Sequence, residues 1–226
     1  METIEMTADV KVRSVPVFIV DDHPIVRQGL RQLIDQEEGF IVCGEAENGT
    51  QTFAALKVQM PGVMMMDLSL KNENGLELVK NLKALYPALP VLVVSVSDEE
   101  FYAERAIHAG AMGYIMKTQA ANLIIKAIRC IMGGEVYLSD SVSARILRKM
   151  SAGNDDSKGS PVDKLSNREL QVFNLIGTGL GTRQIAERLS RSVKTVETYR
   201  EHIKSKLDLK DSSELVQNAI QWLQSQ

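Results

Sequence analysis

Cysteine is scarce: among 226 residues only Cys43 and Cys130 occur, both in apolar surroundings and without metal-ligand spacing. That excludes a disulfide framework and a thiolate metal centre, and fits reduced core thiols. Long apolar runs are missing as well. The longest, such as VMMM and VLVV, fall far short of the ~20 residues that span a bilayer. The opening METIEMTADVKVRS lacks the apolar stretch of a secretory signal, so the expectation is a cytoplasmic protein with no membrane partner. Internal repeats and low-complexity tracts are absent too.

What is present is an apolar content of 44%, enough for a buried core. Charge is unevenly spread. From Pro161 onward there are 10 Lys+Arg and 8 Asp+Glu, whereas the preceding part holds 16 and 21. Thr182–Lys206 alone carries 7 basic and 3 acidic residues. An acidic part joined to a locally basic one fits a regulatory domain tied to an anion-binding domain.

Five short apolar runs punctuate the first half: VPVFIVD (15–21), FIVCGEA (40–46), GVMMMD (62–67), PVLVVSV (90–96) and GYIMK (113–117). Each reads as a strand covered on both faces. The segments between them have helical spacing, as in PIVRQGLRQLI and GLELVKNLKAL. Alternation of this kind implies right-handed βαβ units and a parallel sheet. A fifth helix over about 120–133 ends at Gly133–Gly134, a plausible cap, and another covers about 140–150. SAGNDDSKGSP reads as a flexible linker, and everything after it is helical.

In such sheets ligands bind beyond the carboxyl ends of the strands. Strand 1 ends in Asp21–Asp22, strand 3 in Asp67, strand 4 in Ser95 and strand 5 in Lys117. Alone, an acidic pair is an ordinary helix cap and a strand-end lysine an ordinary surface residue. Together, three converging carboxylates call for a cation, and hard oxygen ligands suit Mg²⁺. Asp21 and Asp22 then hold the metal, Asp67 is a nucleophile toward a phosphoryl group, and Lys117 neutralises charge in transfer. Ser95 donates a hydrogen bond to the new group. His23 has no second ligand and reads as a surface residue. The MMM run reads as buried strand.

The residues VDDH, MDLSL, VVS and GAMGYIMK make the first 130 or so residues resemble the receiver domain of two-component response regulators. The resemblance implies phosphorylation of Asp67 by a sensor histidine kinase or a small phosphodonor. It implies Mg²⁺ held by Asp22, Asp67 and the Ser69 carbonyl, with Asp21 acting through water. It also implies a switch in which Ser95 moves toward the phosphoryl group and Tyr114 turns into the vacated space. One departure stands out. The loop commonly written DLxMPxxxG is DLSLKNENG here, with Lys71 at the proline position. A fixed φ is lost and a charge gained.

After the linker, four helices are expected. Ser166 caps the first, with Glu169 completing a capping box. The second covers about Thr182–Leu189, the third about Val193–Leu207, and the fourth starts near Ser212. The short turn between the second and third makes a helix-turn-helix. On the third helix Val196, Ile203 and Leu207 form a core stripe with Tyr199 beside it. Lys194, Thr195, Glu197, Thr198, Arg200, Glu201 and Lys204 are the candidates for contact with double-stranded DNA. LSNRELQVFNLIGTGL, QIAERL, SVKTVETYREHIKSKL and SSELV resemble the LuxR/NarL-type DNA-binding domain throughout. That resemblance implies a homodimer on DNA with the last helix as a contact. Trp222 belongs either to that contact or to the cover of the core.

The expected architecture is an N-terminal extension (1–14), an α/β receiver with a flavodoxin-like, doubly wound, five-stranded parallel sheet (15–134), a helix and linker (135–163), and an all-α DNA-binding domain of four helices (164–226). The expected function is a transcription factor controlled by phosphorylation, not an enzyme. Two rivals stand beside it. One is a DNA-binding regulator whose receiver acts without phosphorylation. The other is an aspartate-nucleophile phosphohydrolase of the haloacid-dehalogenase type, which needs Asp-x-Asp where this chain has Ser69.

Overall fold

A computed structural model describes residues 14–71, 73–97, 99–119, 121–151, 161–189 and 191–224. The expected N-terminal extension and linker fall almost wholly outside these residues. The chain divides into two compact units after Val142.

In the first unit five strands alternate with helices: β1 (Val15–Val20), α1 (Pro24–Asp35), β2 (Phe40–Ala46), α2 (Gly49–Leu56), β3 (Val63–Met66), α3 (Gly75–Leu85), β4 (Val91–Ser95), α4 (Glu99–His108), β5 (Gly113–Met116) and α5 (Ala121–Met132). All neighbours pair in parallel, in the order β2-β1-β3-β4-β5. β1 and β3 are adjacent, as the convergence of the acids requires. Three of the five expected strands held one polar end residue too many, because the ladder stops before Asp21, Asp67 and Lys117; the second matches as expected, and the third and fourth also lose Gly62, Pro90 and Val96. Val20 pairs with Met66, so Asp21 and Asp67 follow side by side at the point where the strand order reverses.

One sheet face, with Val17, Ile19, Val63, Met65, Leu92, Val94 and Ile115, packs against Leu30 and Ile34 of α1 and Ile124, Ile128 and Ile131 of α5. Burying each such side chain contributes about 1.5–3 kcal/mol. Met64 and Met66 fill the other face; all three methionines are buried strand. A bulge between Val17 and Phe18 skips Cys43, and a Cβ at Gly44 would lie 2.6 Å from the Phe18 ring. Both cysteines are free but only partly buried, so neither belongs to the core proper.

After α5 the chain turns at Gly134 (φ 85°). Tyr137 then bridges Gly113 in parallel on the outer edge of β5. The Tyr114 N–H donates to the Tyr137 carbonyl at 3.0 Å, and the Tyr137 N–H to the Met112 carbonyl at 2.9 Å. The next helix, α6 (Asp140–Ser151), spans the division between units.

The second unit opens with a 3-10 turn (Pro161–Lys164) and holds α7 (Asn167–Gly177), α8 (Thr182–Arg188), α9 (Val193–Leu207) and α10 (Ser212–Gln224). Both halves of the Ser166–Glu169 capping box form. Val196 and Ile203 are buried on α9 with Phe173 and Ile176 of α7, Ile185 of α8 and Leu215 of α10. Leu207 and Tyr199 are half-buried flanks of that stripe. Gly177 lets α7 and α10 touch, since a Cβ there would meet the Ala219 carbonyl at 2.6 Å. The Trp222 ring packs 5.9 Å from Phe173, so Trp222 covers the core.

Candidate functional site: an acidic pocket and a helix face

Asp21 and Asp67 are nearly fully buried, at 1% and 2% exposure. They are fixed by the chain on either side, as the Asp67 N–H donates to the Val20 carbonyl at 2.8 Å. Lys117 arrives from the end of β5. Its Nζ lies 2.5 Å from Asp21 Oδ2 and 2.8 Å from Asp67 Oδ2. Burial pulls the Lys117 ammonium down, but the two carboxylates outweigh it and hold its pKa above the ordinary value.

The acidic pair does not cap α1. The cap is His23, with Pro24 in the first turn and no side-chain hydrogen bond from the capping residue. His23 is 61% exposed, as a surface residue should be, yet its Nδ1 lies 2.8 Å from Asp22 Oδ1 and 3.2 Å from Asp21 Oδ1. No sequence pattern marks that contact. Asp21, Asp22, His23 and Asp67 each present a ligand atom within 4.8 Å of the others. The three carboxylates form a hard-oxygen donor set that fits a divalent cation such as Mg²⁺, and the Lys117 ammonium offsets part of their charge. Ser69 places its N–H on Asp67 Oδ1 at 3.1 Å.

Ser95 ends β4 fully buried, and its Oγ accepts the Ser97 N–H at 3.2 Å. Tyr114 points inward, 1% exposed, and its hydroxyl donates to the Ser97 carbonyl at 2.8 Å. The two candidate switch residues are therefore joined through Ser97. No periodicity marks Ser97, because its part is played by main-chain atoms.

On the second unit, Ser192 caps α9 and accepts the Thr195 N–H at 3.1 Å. Lys194, Glu197, Thr198 and Glu201 are exposed, whereas Thr195, Arg200 and Lys204 are half-buried. The Thr198 hydroxyl donates to the Lys194 carbonyl at 3.0 Å, which leaves its oxygen available only as an acceptor. Lys204 pairs with Glu201 at 2.9 Å. Behind this face sits a residue the sequence marked only as a cap. Glu169, 3% exposed, accepts Ser166 N–H at 2.7 Å and the Lys206 ammonium at 2.6 Å.

Comparison with known proteins agrees with both halves. Residues 17–129 match the family described as response regulator receiver domain, and 163–219 that described as bacterial regulatory proteins, luxR family. The oxygen regulatory protein NreC of Staphylococcus haemolyticus is 33% identical over 208 residues, covering 90% of this chain and 96% of that one. RcsB of Salmonella enterica serovar Typhimurium, solved bound to the promoter P1flhDC with the phosphomimetic BeF3⁻, is 29% identical. The match covers 92% of this chain and 98% of RcsB with a TM-score of 0.56. A two-component response regulator of the LuxR family from Aurantimonas aligns at 28% identity and TM-score 0.56, covering 61% of this chain and 99% of that one. Among the described residues no helix is long and apolar enough to cross a membrane.

Proposed function

The chain belongs to the LuxR family of response regulators, transcription factors in which a receiver precedes a DNA-binding helix-turn-helix, and from that premise we propose that Asp67 carries the phosphoryl group. One observation carries the assignment: Lys117 Nζ stands between Asp21 Oδ2 and Asp67 Oδ2 where β1 and β3 end side by side. An Asp67 carboxylate oxygen forms a bond to phosphorus while the donor's bond to phosphorus breaks, the electron pair leaving with the donor. The donor is a sensor histidine kinase or a small phosphodonor. Lys117 offsets the charge that collects on the phosphoryl oxygens.

Asp22, Asp67 and the Ser69 carbonyl hold Mg²⁺ in this reading, with Asp21 acting through water. When bound, the ion supplies further charge neutralisation. Ser95 and Tyr114 answer the new group through Ser97, and activation favours a homodimer. Residues 15–134 serve as receiver and 164–226 as DNA reader, in the cytoplasm, without catalytic turnover. Lys194, Thr195, Glu197, Thr198, Arg200, Glu201 and Lys204 meet double-stranded DNA. The promoter complex of RcsB supports this part. Ser69 offers no carboxylate, which counts against a phosphohydrolase.

The test is transfer of labelled phosphate from a small donor with Mg²⁺. Asp67→Asn is expected to incorporate none. Label retained in that variant moves the acceptor elsewhere.

A further inference from the structure

The loop after β3 departs from the related DLxMPxxxG pattern where Lys71 replaces proline. Its main chain shows a consequence. Leu68 and Leu70 are 2% and 0% exposed, so alternate side chains are driven into the core. The intervening amides reach the acidic pocket. Ser69 N–H meets Asp67 Oδ1, and Lys71 N–H meets Asp22 Oδ2, each at 3.1 Å. Proline has no N–H, so the second bond exists only because residue 71 is not proline. Further along, Glu73 Oε2 accepts the Gly49 N–H at 2.6 Å at the start of α2. A Cβ on Gly49 would lie 2.9 Å from the other oxygen of that carboxylate. The loop is thus pinned on both sides of the Lys71 amide.

We propose that the main-chain N–H of Lys71 is a positioning group that holds the Asp22 carboxylate in one orientation for a divalent metal ion. The inference rests on the Mg²⁺ reading above. With Oδ2 held by that amide, Oδ1, which His23 Nδ1 approaches at 2.8 Å, is the oxygen left for the ion, and such outer partners typically carry about 10–100-fold of metal affinity. The ammonium of Lys71 repels a cation, so its removal alone does not weaken binding.

The test is a Mg²⁺ titration of the full chain without phosphodonor, read by NMR of the β1 and β3 amides. Lys71→Ala keeps the amide and is expected to bind at least as tightly as the unaltered chain. Lys71→Pro removes it and is expected to bind roughly tenfold more weakly. Equal affinity of the two variants overturns the proposal and leaves the metal site standing. No Mg²⁺ binding by the unaltered chain overturns the metal reading and the proposal with it. Should Lys71→Pro not fold, the Lys71 amide itself decides. Its exchange is expected to quicken in Asp22→Ala; unchanged exchange overturns the proposal.

Discussion

Lys117 shows what a single side chain does in this pocket. Without it, Asp21 and Asp67 face each other buried and uncompensated. Removing one partner of a buried pair typically costs about 3–5 kcal/mol. Lys117→Met is therefore expected to lower the stability of the first unit by about 3 kcal/mol in metal-free buffer. Adding Asp67→Asn to that variant removes one of the stranded charges and is expected to restore part of the loss. Hydrogen exchange of the β1 and β3 amides measures both. Simple addition of the two single effects would mean that the charges do not interact. The strand-end acids and Lys117 were legible as residues because each breaks an apolar run. The contact of His23 with both acids was not, since one exposed histidine beside a carboxylate pair has no pattern of its own.

Between elements, Glu169 joins the start of α7 to the end of α9. Burial pushes its carboxyl up, but hydrogen bonds from Lys206 and Ser166 overcome that and hold its pKa below the ordinary 4.5. A depressed carboxyl stabilises the fold above its ordinary value, and that stability is lost as pH falls through the folded value. Trp222, the only tryptophan, packs in this unit and reports on it alone. Urea unfolding followed by Trp222 is expected to show stability declining below about pH 5. Glu169→Gln is expected to cost about 1–3 kcal/mol at pH 7 and to flatten that decline. An unaltered acid limb in the variant would remove Glu169 as its cause. The capping box was visible from Ser166 and Glu169 three residues apart, but the tie to Lys206 spans most of the unit and no local rule reaches it. Helix positions followed from spacing and caps, and strand positions, apart from their ends, from uniformly apolar runs. The Tyr137 bridge did not, because a lone pairing has no period.

At the scale of the whole molecule, a receiver and a DNA reader on one chain make sense only if one alters the other. Phosphodonor with Mg²⁺ is expected to raise affinity for a specific promoter at least tenfold, about 1.4 kcal/mol. The mass in solution is expected to shift toward a dimer, and Asp67→Asn to show neither change. Unchanged affinity and mass, measured by fluorescence anisotropy and sedimentation, would leave a regulator that works without phosphorylation. The route out of the receiver bears on how such a signal leaves. The Tyr137 bridge occupies the free edge of β5, where an open row of amides and carbonyls would otherwise recruit foreign strands. Two residues on, Ser139 N–H is fastened to Glu99 of α4 at 2.9 Å. The exit is a stitched seam, sewn to β5, the strand that carries Tyr114 and leads into Lys117, and to α4. Both stitches lie ahead of α6, so the chain is already fastened to sheet and helix when it leaves the receiver.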